Sequence, residues 1–374
     1  MERISRAVVG LVFAVLWGAM AAAQQAVPEF RYVVTSDMDF YGSDLDALFD
    51  TDLPSCLNAC SANGRCTAFT YNTRSRACFP KSGVSERKAY QGALSAEKLA
   101  TPAQAIRRGA ARQADLGFLR AGDLERARDQ GRELGLIHRA GGLDLQAVME
   151  AARERTAAGD SLRAAGWTGA AVSLTDSGAL WTEYARLLLD IRTDNDGQRR
   201  DYDQRAQYAA TNGYLRAEND PARVTALQVL GEALERRGRG RDMLAALRLA
   251  SEIQPRDDIL SALDAAIQKY GFRIVDSSVE SDSDAPRICA EFSENLVRAG
   301  VDYEPFVKLP EPGLVVQAQG SQLCVDGLEH GKRYRVTFRK GLPAASGETL
   351  YRYVELTHYV RDRSQNVRFP GRSY

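Results

Sequence analysis

The chain has 374 residues, 44% of them hydrophobic, with 49 Lys+Arg set against 49 Asp+Glu. That length points to two or three domains rather than one. The zero net charge removes the electrostatic argument for a nucleic-acid or anionic-membrane partner.

The N-terminus reads as an export signal over residues 1–23. Arg3 and Arg6 precede an uncharged, mostly apolar run from Ala7, and Ala21-Ala22-Ala23 fits a small-residue cleavage site. The run is short for a bilayer span, and no later stretch approaches spanning length. A periplasmic or secreted product, with no membrane span after cleavage, is the expectation.

Residues 28–92 form a small cysteine-bearing module. Six cysteines follow the signal: Cys56, Cys60, Cys66, Cys78, Cys289 and Cys324. An even count in an exported chain favours disulfides. The spacing of the first four lacks the paired C-x2-C knuckles of a zinc site, so no metal is expected there. Four cysteines allow three pairings. A nested one, Cys56–Cys78 with Cys60–Cys66, is favoured by local structure. Asp52-Leu53-Pro54-Ser55 reads as a helix start, which puts Cys56 and Cys60 one turn apart on one face. Cys66 to Tyr71 then alternates as a strand before the turn Asn72–Ser75. So small a segment buries little core, and disulfides supply the shortfall.

Residues 100–270 are rich in Ala, Leu and Arg, with few β-branched residues, and read as paired helices. The clearest unit places Leu227, Leu230, Gly231 and Leu234 before Met243, Leu247, Ala250 and Pro255. That follows the tetratricopeptide spacing with several signature residues replaced. Weaker units run through Ala111, Ala114, Phe118, Ala127 and Leu134, with Gly122-Asp123 as the inter-helix turn. Ala152, Ala164 and Ala171 follow, with the turn Gly159-Asp160. Trp181, Tyr184, Ala185 and Leu188 open another, before a lengthened turn at Asp194–Gly197. Each hairpin is expected to bury its apolar face against the next, giving a scaffold with a concave surface.

Residues 271–374 switch to strand character. Expected strands are Phe272–Asp276, Arg287–Phe292, Gly313–Ala318, Arg333–Arg339 and Tyr351–Leu356, broken by turns that indicate a β-sandwich. Arg333–Arg339 is the clearest: Tyr334, Val336 and Phe338 alternate with Arg335, Thr337 and Arg339. Cys289 and Cys324 remain to pair with each other. Their bridge would close a loop of roughly 36 residues, worth roughly 4 kcal/mol in the chain-entropy model.

Catalytic signals are sparse. Gly159-Asp160-Ser161-Leu162 matches a short hydrolase motif, but a nucleophilic serine needs a positioned base, and no Asp-x2-His accompanies it. His138, His330 and His358 stand apart from one another and from the cysteines. No phosphate-cradling glycine loop occurs, since Gly238-x-Gly240 reads as an inter-helix turn. The expectation is a protein that is not an enzyme and that carries no cofactor.

Two resemblances sharpen this. The string C-x3-C-x5-C-T-A-F-T-Y-N-x5-C-F-P-K, within Asp37–Lys81, resembles the PAN/Apple family. That likeness implies a disulfide-bonded α+β binding module for protein or glycan, with Phe40, Tyr41, Phe69 and Tyr71 as binding aromatics if they are not core. The second likeness lies at Pro286-x2-Cys289-x2-Phe292-Ser293-x2-Leu296 and Leu323-Cys324-Val325-x-Gly327-Leu328-x2-Gly331-x2-Tyr334. It continues through Arg339-x-Gly341-Leu342-Pro343-Ala344 to Gly347-Glu348-x-Leu350. This pattern resembles the first macroglobulin-type sandwich of bacterial α2-macroglobulins. The order of PAN/Apple module, helices and sandwich is similar to the N-terminal part of some members. The family implies periplasmic protease trapping, that is, endopeptidase inhibition. This sequence departs from it: it has no Cys-x-Glu-Gln thioester motif and no candidate bait region. The expectation is the N-terminal portion of such a protein, with a stand-alone periplasmic adaptor for protein or glycan as the alternative.

Overall fold

The computed structural model describes residues 25–297 and 300–363. The expected signal, residues 1–23, lies outside the described residues.

The N-terminal module comprises β1 (Phe30–Asp44), α1 (Leu53–Ala62), β2 (Ala68–Asn72) and β3 (Ala77–Ala100). Asp52 caps α1 by accepting from the Ser55 amide at 2.8 Å, and Pro54 occupies its first turn. The helix buries Cys56, Leu57 and Cys60. The sulfurs pair as Cys56–Cys78 and Cys60–Cys66. β2 does not alternate: Ala68, Phe69, Thr70 and Tyr71 are all buried, because both its edges and both its faces are covered.

β3 has an unusual course. β2 meets Ala77–Lys81 of it on one side and Ala93–Glu97 on the other. Sixteen residues of straight strand would separate those two segments by ~50 Å. The ribbon formed by β1 and β3 must therefore coil around β2. Gly92 (φ 90°) and Asp37 (φ 54°) sit where the β1–β3 register jumps from Ser36↔Leu94 to Met38↔Ala89. The module consequently runs to Ala100 instead of ending at residue 92.

Among the described residues nine α-helices follow: α2 (Ala103–Arg112), α3 (Ala121–Ile137), α4 (Leu145–Ala157), α5 (Ser161–Thr175), α6 (Gly178–Asp190), α7 (Asp196–Arg216), α8 (Asp220–Arg236), α9 (Gly240–Ile253) and α10 (Asp257–Tyr270). Neighbours from α4 to α10 pack in sequence order, but α2 and α3 fold back onto α7. This departs from an array in which each hairpin touches only the next. The cause is α7, whose Ala206, Ala209, Ala210 and Gly213 let helices approach on several sides. Gly122 and Asp123 are not a turn but the first turn of α3, where Asp123 accepts from the Arg120 amide at 3.1 Å. Gly159-Asp160 does separate α4 from α5.

The last segment holds β4 (Ile274–Glu280), β5 (Arg287–Phe292), β6 (Val307–Lys308), β7 (Val315–Gln319), β8 (Gln322–Asp326), β9 (Lys332–Phe338) and β10 (Val354–Val360). They form two antiparallel sheets, ordered β4-β5-β8-β7 and β10-β9-β6, which share one core. Phe292 of one sheet meets Phe338 of the other edge-on at 5.9 Å. Tyr334, Val336 and Phe338 all point inward. Cys289 and Cys324 lie directly opposite across β5 and β8 and are bonded. β10 starts at Val354 rather than Tyr351, because the inward set is Val354, Leu356, His358 and Val360, while Tyr351 and Tyr353 stay exposed.

The three segments are joined by polar contacts. Arg31 of β1 donates to the Ser173 and Leu174 carbonyls at the end of α5. A methyl group on Gly135 would lie 2.1 Å from the Tyr32 carbonyl, so α3 packs on β1 only with glycine there. Arg248 of α9 holds both Glu348 oxygens at 2.6 Å.

Candidate functional site

The coiling of β3 leaves an opening. β2 begins at Ala68, and beyond its start the two limbs of β3 diverge. Between them lies a cleft of about 540 Å³, with Thr67 and Ala68 at its base, Val84–Arg87 on one wall and Glu97–Leu99 on the other. Thr67 closes the base: its amide donates to the Lys81 carbonyl at 2.9 Å, and its carbonyl accepts from Lys98 at 2.8 Å.

Charge of both signs lines this opening. Arg87 spans it to Glu97 at 2.7 Å, with the guanidinium over the Phe40 ring at 5.0 Å. Lys98 sits 4.1 Å from the Phe30 ring centre, and burial holds its ammonium below the ordinary lysine value. The Arg87–Glu97 pair is 53% and 34% exposed. An exposed pair of this kind contributes about 0–1 kcal/mol, so a ligand can exchange for either partner at small cost. The cleft thus offers a guanidinium, an ammonium and two carboxylates, Glu86 and Glu97, a set suited to hydroxyls, amides or charged groups rather than to an apolar ligand.

The four aromatics read from the sequence divide here. Phe40, Phe69 and Tyr71 are buried, and the Tyr71 hydroxyl donates to the Thr51 carbonyl at 3.1 Å. Only Tyr41 reaches the surface, at 42% exposure, with Lys88 4.9 Å from its ring centre. The cleft residues were missed because they come from three separated stretches of chain. The one local signal is the charged run Glu86-Arg87-Lys88 inside a segment that pairs as strand.

The short hydrolase motif has a structural role. Asp160 accepts from the Arg163 amide at 3.1 Å as the cap of α5, and Ser161 is the first residue of that helix. His138 is enclosed with Tyr184 (2.8 Å) and Arg205 (3.0 Å), and burial with that guanidinium lowers it to about 4. His330 contacts the Ser281 carbonyl, and His358 contacts the Ser277 hydroxyl across the seam between the two sheets. Among the described residues no helix is long and apolar enough to cross a membrane.

Residues 31–99 match the family model of the PAN domain. The match begins at Arg31, ends one residue before the end of β3, and contains all nine cleft residues together with both N-terminal disulfides. PAN domains bind proteins or carbohydrates, and disulfides of this density belong to oxidising compartments. A search of curated proteins finds none that matches the chain.

Proposed function

We propose that the chain is a non-enzymatic binding and scaffold protein that works outside the cytoplasm. Its PAN module captures a protein segment or a glycan in the cleft between Val84–Arg87 and Glu97–Leu99. The observation that carries this reading is an open polar cleft lying wholly inside the matched residues. The helices act as the mount: α3 and α5 hold β1, and no residue of theirs lines the cleft. The engagement of Asp160 in capping and of all three histidines in structural contacts supports the non-enzymatic part.

Within that class, the finer reading is the recognition arm of an α2-macroglobulin-like protease-trapping protein in the periplasm. It is supported by the residue pattern from Pro286 to Leu350, which falls in a two-sheet domain with Cys289–Cys324 bonded across neighbouring strands of one sheet. The chain itself has neither bait nor thioester, so it would recognise rather than trap.

The test uses the disulfide-bonded chain on glycan and peptide arrays beside Arg87→Glu. Binding by the parent and loss in the variant is expected. Equal binding by both would move the site away from the cleft, and no binding by either would overturn the binding reading. Co-elution with a panel of endopeptidases tests the finer reading; no complex with any of them would leave the stand-alone adaptor.

A further inference from the structure

The helical segment passes into the sheet domain through one residue. Tyr270 ends α10, with its ring against Gly240 and its hydroxyl donating to Glu235 at 2.8 Å. Phe272 already lies in the core of the sheet domain, stacked on Phe292 with ring centres 5.0 Å apart. Gly271 alone stands between these two anchors. A few torsions at the end of an element are what a hinge uses.

The two parts do not share a core. The buried apolar side chains of the helices and those of the sheet domain form separate clusters, and none of the described clusters spans the junction. Between the start of α9, the end of α10 and β4–β5 the structure leaves a cleft of about 690 Å³. A domain boundary without a large apolar interface resists rotation weakly.

Two guanidinium–carboxylate contacts from α9 cross this boundary. Arg241 and Arg248 are seven residues apart, two helical turns, and so share a face. Arg241 pairs with Glu294, just after β5. Arg248 takes both oxygens of Glu348, in the connection from β9 to β10, at 2.6 Å each. The arginine side chains are 43% and 41% exposed, so water and salt reach both pairs. Salt shortens the reach of such charges, from about 10 Å at 0.1 M to about 3 Å at 1 M.

We propose that Arg241–Glu294 and Arg248–Glu348 form an ionic latch across a hinge at Gly271. The latch holds the sheet domain at one angle at low ionic strength, and the domain swings when the pairs are screened. One half-exposed pair favours the latched angle by up to about fivefold, and pairs two turns apart act nearly independently. Together they favour it by up to about 25-fold, enough to make one angle dominant and little enough for salt to undo. The sheet domain is the part that turns, because the PAN module is fastened to the helices through Arg31 and the close approach at Gly135.

The test is single-molecule energy transfer on the full oxidised chain. Dyes are carried on bioorthogonal residues at Leu162 in α5 and Tyr353 before β10, both exposed, so the disulfides are left intact. In about 50 mM sodium chloride one narrow distribution is expected, and in about 1 M a second population, while sucrose of matched osmolarity adds none. Arg248→Glu and Glu348→Arg should each raise the second population at low salt by about fivefold or more. The two together restore the pair with its charges exchanged and should return the single distribution. Arg241→Glu and Glu294→Arg should behave alike, singly and combined. The salt series needs no substitution, so it decides the matter even where a variant fails to fold. A distribution that ignores both salt and the single variants would overturn the proposal. So would a second population that persists in the exchanged pairs, since the effect would then belong to the substituted side chains and not to the latch.

Discussion

Arg31 Nε lies 2.8 Å from the Ser173 carbonyl oxygen, 142 residues away in sequence, and its Nη2 lies 2.9 Å from the Leu174 carbonyl. One guanidinium on the first strand of the PAN module thus satisfies two carbonyls that the end of α5 would leave without partners. Its Nη1 also holds the Ala100 carbonyl at 3.1 Å, fastening the end of β3. The PAN module is therefore mounted on the helices rather than tethered to them. Arg31→Ala should destabilise the chain by about 2–4 kcal/mol, because buried carbonyls lose their donor at about 1–3 kcal/mol each. Urea unfolding checks this, and limited proteolysis should show new cutting between residues 100 and 103. An unchanged midpoint and digest would mean the mount does not depend on Arg31.

A second buried arginine holds the core of the helical segment. Arg216 and Asp176 are 2.7 Å apart with side chains only 1% exposed, and Asp176 also accepts from Trp181 Nε1 at 3.0 Å. Asp176→Ala strands a buried positive charge and should cost about 3–5 kcal/mol. Arg216→Met strands the carboxylate and should cost a similar amount. The double variant should lose less than the sum, and a double-mutant cycle measures that difference. Additive losses would show that the two side chains act separately.

These arginines also mark what the sequence could tell. The cysteine spacing and the alternation of Tyr334, Val336 and Phe338 are local patterns, and both were legible. β3 was not. Its stretch from Ala89 to Ala100 carries Ala89, Ala93, Ala96, Glu97 and Lys98, residues that favour helix, and strand form is imposed there by pairing with β1 and β2. α7 hides its role in the same way: Gln207, Asn212 and Arg216 look like a solvated face but are buried. Their burial depends on distant acceptors such as the Ala127 carbonyl, 2.7 Å from Asn212 Nδ2. The cleft joins residues 67–68, 84–87 and 97–99, and only the coil of the ribbon brings them together.

His138 should make stability fall in mild acid. Its ordinary value of 6.5 is lowered to about 4 by burial and by Arg205. Between those values the unfolded chain binds a proton that the folded chain does not, so stability is full above pH 6.5 and declines toward pH 4. The full span corresponds to about 3 kcal/mol. His138→Gln removes the titration, and its unfolding free energy should depend less on pH across that window. Parallel curves for the two proteins would assign the acid sensitivity elsewhere.

The disulfides should differ in weight. Cys289 and Cys324 are 35 residues apart and Cys60 and Cys66 only 6. In the chain-entropy model, removing the longer loop costs about 4 kcal/mol and the shorter about 2 kcal/mol. Paired serine variants, Cys289→Ser with Cys324→Ser and Cys60→Ser with Cys66→Ser, measure this by urea unfolding. The two variants also separate the functions. Loss of Cys289–Cys324 should loosen the two-sheet domain and leave array binding by the PAN module intact. Loss of Cys60–Cys66 releases the end of α1 beside Ala68, at the base of the cleft, and should weaken that binding even where the chain remains folded. If the Cys289–Cys324 variant lost array binding while the Cys60–Cys66 variant kept it, the ligand would be held by the sheet domain instead of the cleft.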